Sequence, residues 1–142
     1  MLHNLISNAI KFSQRNSVVR VEAYYFKKEQ ILQVSVIDKG SGIPEKDFDK
    51  LFKPYSTLKS AESSGKSGAG LGLYVCKMIC KELKGDIRII PDLNERTAFT
   101  FNVRASAQLN NEHDESVDFI EFNFSTPDPK QMIMVYAGSK FD

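Results

Sequence analysis

The sequence predicts an α+β domain, and three observations predict it. Residues 1–13 carry apolar groups at helical spacing, and residues 18–26 and 31–38 alternate apolar with polar as paired strands do. After a Gly-rich stretch, a second helix and a second strand pair follow between Leu71 and Val103. At 142 residues, 42% hydrophobic and 26% charged, the chain suits one domain with a real core. A formal net charge of +1 without a basic stripe gives no reason to expect a nucleic-acid or membrane surface. No apolar run approaches the roughly 20 residues needed to span a bilayer, and no leader pattern follows Met1, so a soluble, cytoplasmic chain is expected.

The first helix sorts its residues by chemistry. With about 100° per residue and Asn4 at zero, Asn8 falls near 40° and Lys11 near −20°, while Leu5, Ile6, Ala9 and Phe12 occupy the other side. Two amides and an ammonium share one stripe. By itself this is the solvated face of an amphipathic helix. Val18 to Phe26 then reads as a strand with Val19, Val21, Ala23 and Tyr25 on one face, turning through Lys27 to Gln30 into a partner that ends at Asp38.

Asp38-Lys39-Gly40-Ser41-Gly42-Ile43-Pro44 breaks that alternation abruptly. A carboxylate at a strand end can accept hydrogen bonds, and Gly40 and Gly42 lack the Cβ atoms that would hold a ligand away from the backbone. Alone, this spacing is equally an ordinary Gly-rich turn. Pro44, Glu45 and Asp47 then suit a helix start, and Phe48, Leu51 and Phe52 recur at helical spacing, where core packing is the simplest role.

Residues 56–70 hold one large apolar group, Leu58, and are expected to form a lid. Gly65-Lys66-Ser67 imitates the end of a P-loop, but the first glycine would fall on Ser60 and no strand precedes it. Gly68, Gly70 and Gly72 have the wrong spacing for a dinucleotide fingerprint. What remains is a Gly-rich loop entering a helix from Leu71 to Leu83, whose free N–H groups favour a phosphate. Gly72, in the first turn, would let the backbone approach the ligand. Gly85 suits the end of that helix, and Asp86–Ile90 and Thr97–Val103 form a strand pair. Cys76 and Cys80, four apart on the helix, read as buried thiols, and with His3 and His113 the only histidines no zinc site is expected.

Four of these stretches stand in the order of one nucleotide site. Asn4 to Phe12 resembles the N box of sensor histidine kinases, Asp38 to Pro44 their G1 box, Phe48 to Tyr55 their F box, and Gly68 to Leu73 their G2 box. The resemblance runs from about Leu2 to Val103 and is to the ATP-binding catalytic domain of the wider superfamily that includes gyrase-type ATPases and mitochondrial protein kinases. It implies a two-layer Bergerat-type α/β sandwich with a mixed, mostly antiparallel sheet and helices on one face. It implies ATP and Mg²⁺ as cofactors, with Asn8 as the metal ligand and Asn4, Lys11, Gly40, Gly42, Ile43, Gly68, Gly70, Leu71, Gly72 and Leu73 around the nucleotide. Tyr55 stands where relatives often place a residue near adenine, and Thr97 keeps a role near the nucleotide loop. Arg96 replaces the glycine usual before that threonine, which puts the local turn in question.

Asp38 would pair with the C6 amine of adenine, where guanine carries a carbonyl that leaves both groups unpaired. Related ATPases place a water-activating Glu where this chain has Asn4. An amide cannot take a proton, so phosphoryl transfer to a histidine is favoured over hydrolysis. An imidazole with pKa near 6.5 already offers a lone pair at neutral pH. The family's phosphoacceptor motif is missing: neither His3 nor His113 stands in its context. The implied partners are therefore a separate dimerisation domain bearing the acceptor histidine and a downstream response regulator. The strand and helix that precede the N box in relatives are also missing, so the sheet is expected to lose an edge or to leave a helix unpaired. The resulting division is a partial catalytic domain over 1–104, a linker over 105–116, and an extension over 117–142 with short strands at Val117–Phe124 and Met132–Ala137. Two other readings stay open, a nucleotide-binding module without chemistry and a mitochondrial-type Ser/Thr kinase.

Overall fold

The computed structural model describes residues 1–57, 68–92, 96–106 and 132–140. The expected lid, Val117–Phe124 and His113 lie largely or wholly outside them. Helix α1 (Leu2–Phe12) buries Leu5, Ile6 and Ala9, the apolar face read from its periodicity. Strands β1 (Val18–Phe26) and β2 (Ile31–Asp38) form the expected antiparallel hairpin, with Val21 opposite Val36 and Ala23 opposite Val34. A single 3₁₀ turn, Glu45–Asp47, leads into the one-turn helix α2 (Phe48–Leu51). Helix α3 (Gly72–Glu82) precedes the antiparallel pair β3 (Asp86–Asp92) and β4 (Arg96–Arg104).

The sheet runs β3-β4-β2-β1-β5, where β5 is Met132–Lys140. Three pairings are antiparallel, and β5 lies parallel to β1 through nine registered positions from Val18↔Met132 to Phe26↔Lys140. The flank of β1 is thus occupied by the last strand of the chain, where the sequence led us to expect an open edge. Arg96 sits inside β4 opposite Asp92, so its backbone is extended and the doubt over a left-handed turn there falls away.

One face of the sheet meets α1 and α3. Val19, Val21, Val34, Val36, Ile87, Ile89, Phe99, Phe101 and Val103 point into that layer and pack against Leu5, Ile6, Ala9, Leu51 and Phe52. Cys76 and Cys80 are free thiols and fully buried in the same core. Burial pushes the Cys80 thiol up to about 11, with Cys76 adding to it, so both behave as small hydrophobes. On the opposite face, Ser35 and Thr100 satisfy each other across the β2–β4 ladder at 2.8 Å.

Helix α3 ends at the expected Leu83-Lys84-Gly85 signal, but the left-handed position falls one residue before the glycine. Lys84 takes the left-handed position (φ 55°), and the Gly85 N–H closes the turn on the Cys80 carbonyl at 2.8 Å. Gly85 is required for a different reason: a Cβ there would overlap the Asn102 carbonyl of β4. Close backbone approach, not a positive φ, selects glycine at this point. Gly85→Ala should therefore lower stability by roughly 2 kcal/mol or more, whereas Lys84→Gly should raise it by about 1 kcal/mol; chemical denaturation of the two variants checks the contrast.

Candidate functional site

The end of β2 and the end of α1 are stitched together. Ser13 and Gly40 form an isolated antiparallel bridge, and the Gln14 N–H donates to the Lys39 carbonyl at 3.1 Å. Asp38 is 4% exposed, and its Oδ1 accepts the Gly40 N–H at 2.7 Å. A Cβ on Gly40 would stand 2.6 Å from that same oxygen and 3.0 Å from the Phe12 carbonyl, so a side chain here would have to displace the carboxylate. Gly42 has open space around it and is needed for its φ of +72° instead.

This joint forms one wall of a cavity of about 730 Å³. Asn8 and Lys11 from α1, Asp38, Gly40, Gly42 and Ile43 from the β2 end, and Thr97 from β4 line it together with Gly68, Gly70, Leu71, Gly72 and Leu73. Thr97 stands opposite Asp38 in the β2–β4 register, which brings it to the same rim. Lys11 reaches across towards the Gly-rich loop: a Cβ on Gly68 would lie 3.5 Å from its Nζ. No side chain caps the start of α3, so the backbone donors of its first turn have no side-chain partner, and Gly72 and Leu73 of that turn line the cavity. Gly70, at φ +67°, packs its backbone on Tyr55 and Ser56, where a Cβ would meet main-chain atoms at 2.7 Å.

Two of the residues assigned from the sequence stand elsewhere. Asn4 does not line the cavity; its amide nitrogen faces α3, 3.4 Å from the Gly72 carbonyl and 3.9 Å from the Cys76 sulfur. Gly72 accordingly packs against Asn4, where a Cβ would make ordinary contact at 3.7 Å, as well as facing the cavity. Tyr55, at φ 59°, is 76% exposed and lies outside the lining. Conversely, Phe12 and Leu51, read from the sequence as apolar packing groups, and Ser13, Gln14, Arg15, Ser56 and Thr57 line the cavity without having been assigned to it. For Ser13 to Arg15 the signal was position alone, directly after the Asn8–Lys11 stripe; for Ser56 there was none, since the Gly70 contact brings it in, and Thr57 follows it in the chain.

Burial raises the Asp38 carboxyl from 3.8 to about 6, and the Gly40 N–H offsets part of that rise. Because the folded value exceeds the unfolded one, the folded state holds a proton between about pH 4 and pH 6 that the unfolded chain has lost. Stability should therefore fall by up to about 3 kcal/mol as pH rises through that window and then level off. Asp38→Asn should remove this part of the slope in denaturation measured from pH 4 to 8.

Residues 1–107 match the family model described as histidine kinase-, DNA gyrase B- and HSP90-like ATPase. Over 108 residues the chain is 37% identical to the aerobic respiration control sensor protein ArcB of Escherichia coli, covering 74% of this chain and 13% of that protein. It is 32% identical over 116 residues to the sensor histidine kinase WalK of Bacillus subtilis, covering 82% of this chain and 19% of WalK. The chain thus spans a small part of the length of these relatives. Among solved structures, the catalytic domain of histidine kinase ThkA superposes with a TM-score of 0.60 at 29% identity, over 74% of this chain and 65% of that one. The full-length ShkA structure in complex with AMPPNP shares the fold, with a TM-score of 0.62 at 24% identity over 75% of this chain and 21% of that one. With its mixed sheet, its one-sided helical layer and its Asn, Asp and Gly motifs on one cavity, this chain belongs to the histidine kinase-like ATPase family and is a histidine-kinase-type ATP-binding domain.

Proposed function

We propose that the chain binds Mg²⁺·ATP in this cavity and donates the γ-phosphate to a histidine on a separate dimerisation domain, from which a response regulator receives it. The observation that carries the proposal is the meeting of Asn8, Lys11, Asp38 and the Gly68–Leu73 loop on a single cavity. In this reading Asp38 accepts the adenine amine, Lys11 lies along the polyphosphate as a point charge, and the first turn of α3 offers its N–H groups to phosphate oxygens.

The donor set suits Mg²⁺ rather than a softer ion. Asn8, whose amide can offer an oxygen, lines the cavity, and among the described residues no group of three or more His, Cys, Asp or Glu side chains could hold a metal. An ion that takes one protein oxygen and completes its shell with phosphate and water fits such a site, and when bound it neutralises charge on the phosphates. The residues' own contribution is orientation. Asn4, with its amide turned to Gly72 and away from the cavity, supplies no base for water, which favours transfer over hydrolysis. His3 is exposed on α1 outside the lining, which supports an acceptor on another domain.

Incubation with labelled ATP, Mg²⁺ and an acceptor dimerisation domain from a similar kinase should give acid-labile phosphohistidine. ATP binding without label transfer would leave a nucleotide-binding module, and acid-stable label would point to a hydroxyl acceptor. Asp38→Ala should weaken ATP binding by about 100-fold or more, the scale of a buried charge-assisted hydrogen bond, with circular dichroism unchanged. Asn8→Ala should abolish the Mg²⁺ dependence of affinity in the same titration.

A further inference from the structure

Among the described residues, one buried side-chain polar atom has no hydrogen-bond partner: the hydroxyl of Ser13. The residue is 7% exposed and lines the cavity. A buried hydroxyl without a partner is unfavourable and marks a place where a partner is missing. The direction of the side chain follows from the backbone. Ser13 and Gly40 are opposed in an antiparallel bridge, so their Cα–Cβ directions lie on the same side, about 5 Å apart. On that side of Gly40 stands the Asp38 carboxylate, since a Cβ there would come within 2.6 Å of Oδ1. The orphan hydroxyl therefore belongs to the same wall as the carboxylate.

Resting on the nucleotide reading above, we infer that Ser13 is a second base-reading residue, donating its hydroxyl to the ring nitrogen that flanks the amine held by Asp38. Oδ1 of Asp38 is engaged by Gly40, which leaves Oδ2 to accept the amine. On a purine the amine is flanked by two acceptors, N1 and N7, and a donor beside the carboxylate meets one of them. This reading requires the Ser13 side chain, on binding, to turn to another staggered position that takes the hydroxyl out of its closed pocket to that edge. The pair then recognises a donor with an adjacent acceptor, where the carboxylate alone recognises only the amine.

The test titrates ATP, 1-deaza-ATP and 7-deaza-ATP into the full chain and into Ser13→Ala and Ser13→Thr. Ser13→Ala should bind ATP about tenfold more weakly, with its ligand-free melting temperature unchanged or raised because an unsatisfied hydroxyl is gone. One deaza analogue should show the same loss on the wild-type chain and no further loss on Ser13→Ala, which identifies the nitrogen. Ser13→Thr should retain the preference for ATP over that analogue. Equal ATP affinity for Ser13→Ala and wild type, or deaza losses that are identical in both proteins, would overturn the assignment while leaving the nucleotide site intact. A wild-type chain that binds no ATP would overturn both.

Discussion

The site depends on one close approach of backbone to side chain, at Gly40. Its N–H holds Oδ1 of Asp38 at 2.7 Å, and its missing Cβ is what allows the carboxylate and the Phe12 carbonyl to converge there. A carboxylate this buried needs such a donor, since an unpaired charge would be far costlier than a lost surface contact. The same residue bridges to Ser13, so the end of β2 is tied to the end of α1. That joint turns the polar stripe of α1 towards the carboxylate. Asn8 and Lys11 reach the cavity because the strand end is fastened to their helix one turn further on.

The second half of the site is fastened by small groups. Cys76 and Cys80 are fully buried against the start of α1, with the Cys80 sulfur 3.3 Å from that of Met1. Thiols at these positions let α3 pack close, and the amide of Asn4 meets the first turn of α3 at the Gly72 carbonyl. At the far end of α3, Gly85 approaches Asn102, and the Arg104 N–H donates to the Leu83 carbonyl at 3.0 Å. Both ends of α3 are therefore pinned, and its uncapped N-terminus stays beside the cavity. Gly70 completes the arrangement by resting on the backbone of Tyr55 and Ser56.

The sheet shows a different kind of constraint. A strand pair with one buried face tolerates no slip in register, and the observed pairing places Val34, Val36, Phe99 and Phe101 together on the helical side. On the other side the buried hydroxyls of Ser35 and Thr100 face each other and are satisfied. The parallel pairing of β5 with β1 covers a flank that would otherwise present a row of unpaired backbone groups.

Local chemistry made much of this legible. The helical stripe of α1, the hairpin delivering Asp38 and the β3–β4 pair all follow from periodicities of 3.6 and 2, which the backbone imposes whatever surrounds it. The placement of Asp38 at a strand end and of glycines beside it was equally readable, because close approach and left-handed turns admit few other residues. What the sequence could not decide was which neighbour each polar group would meet. Asn4 and Asn8 are one turn apart on the same stripe, yet packing against α3 turns one to Gly72 and leaves the other at the cavity. Tyr55 stands in solvent, Ser13 is bridged to a residue 27 positions away, and β5 found its partner across the whole chain. These outcomes rest on contacts between distant segments, and only the folded sheet and its helical layer bring those segments together.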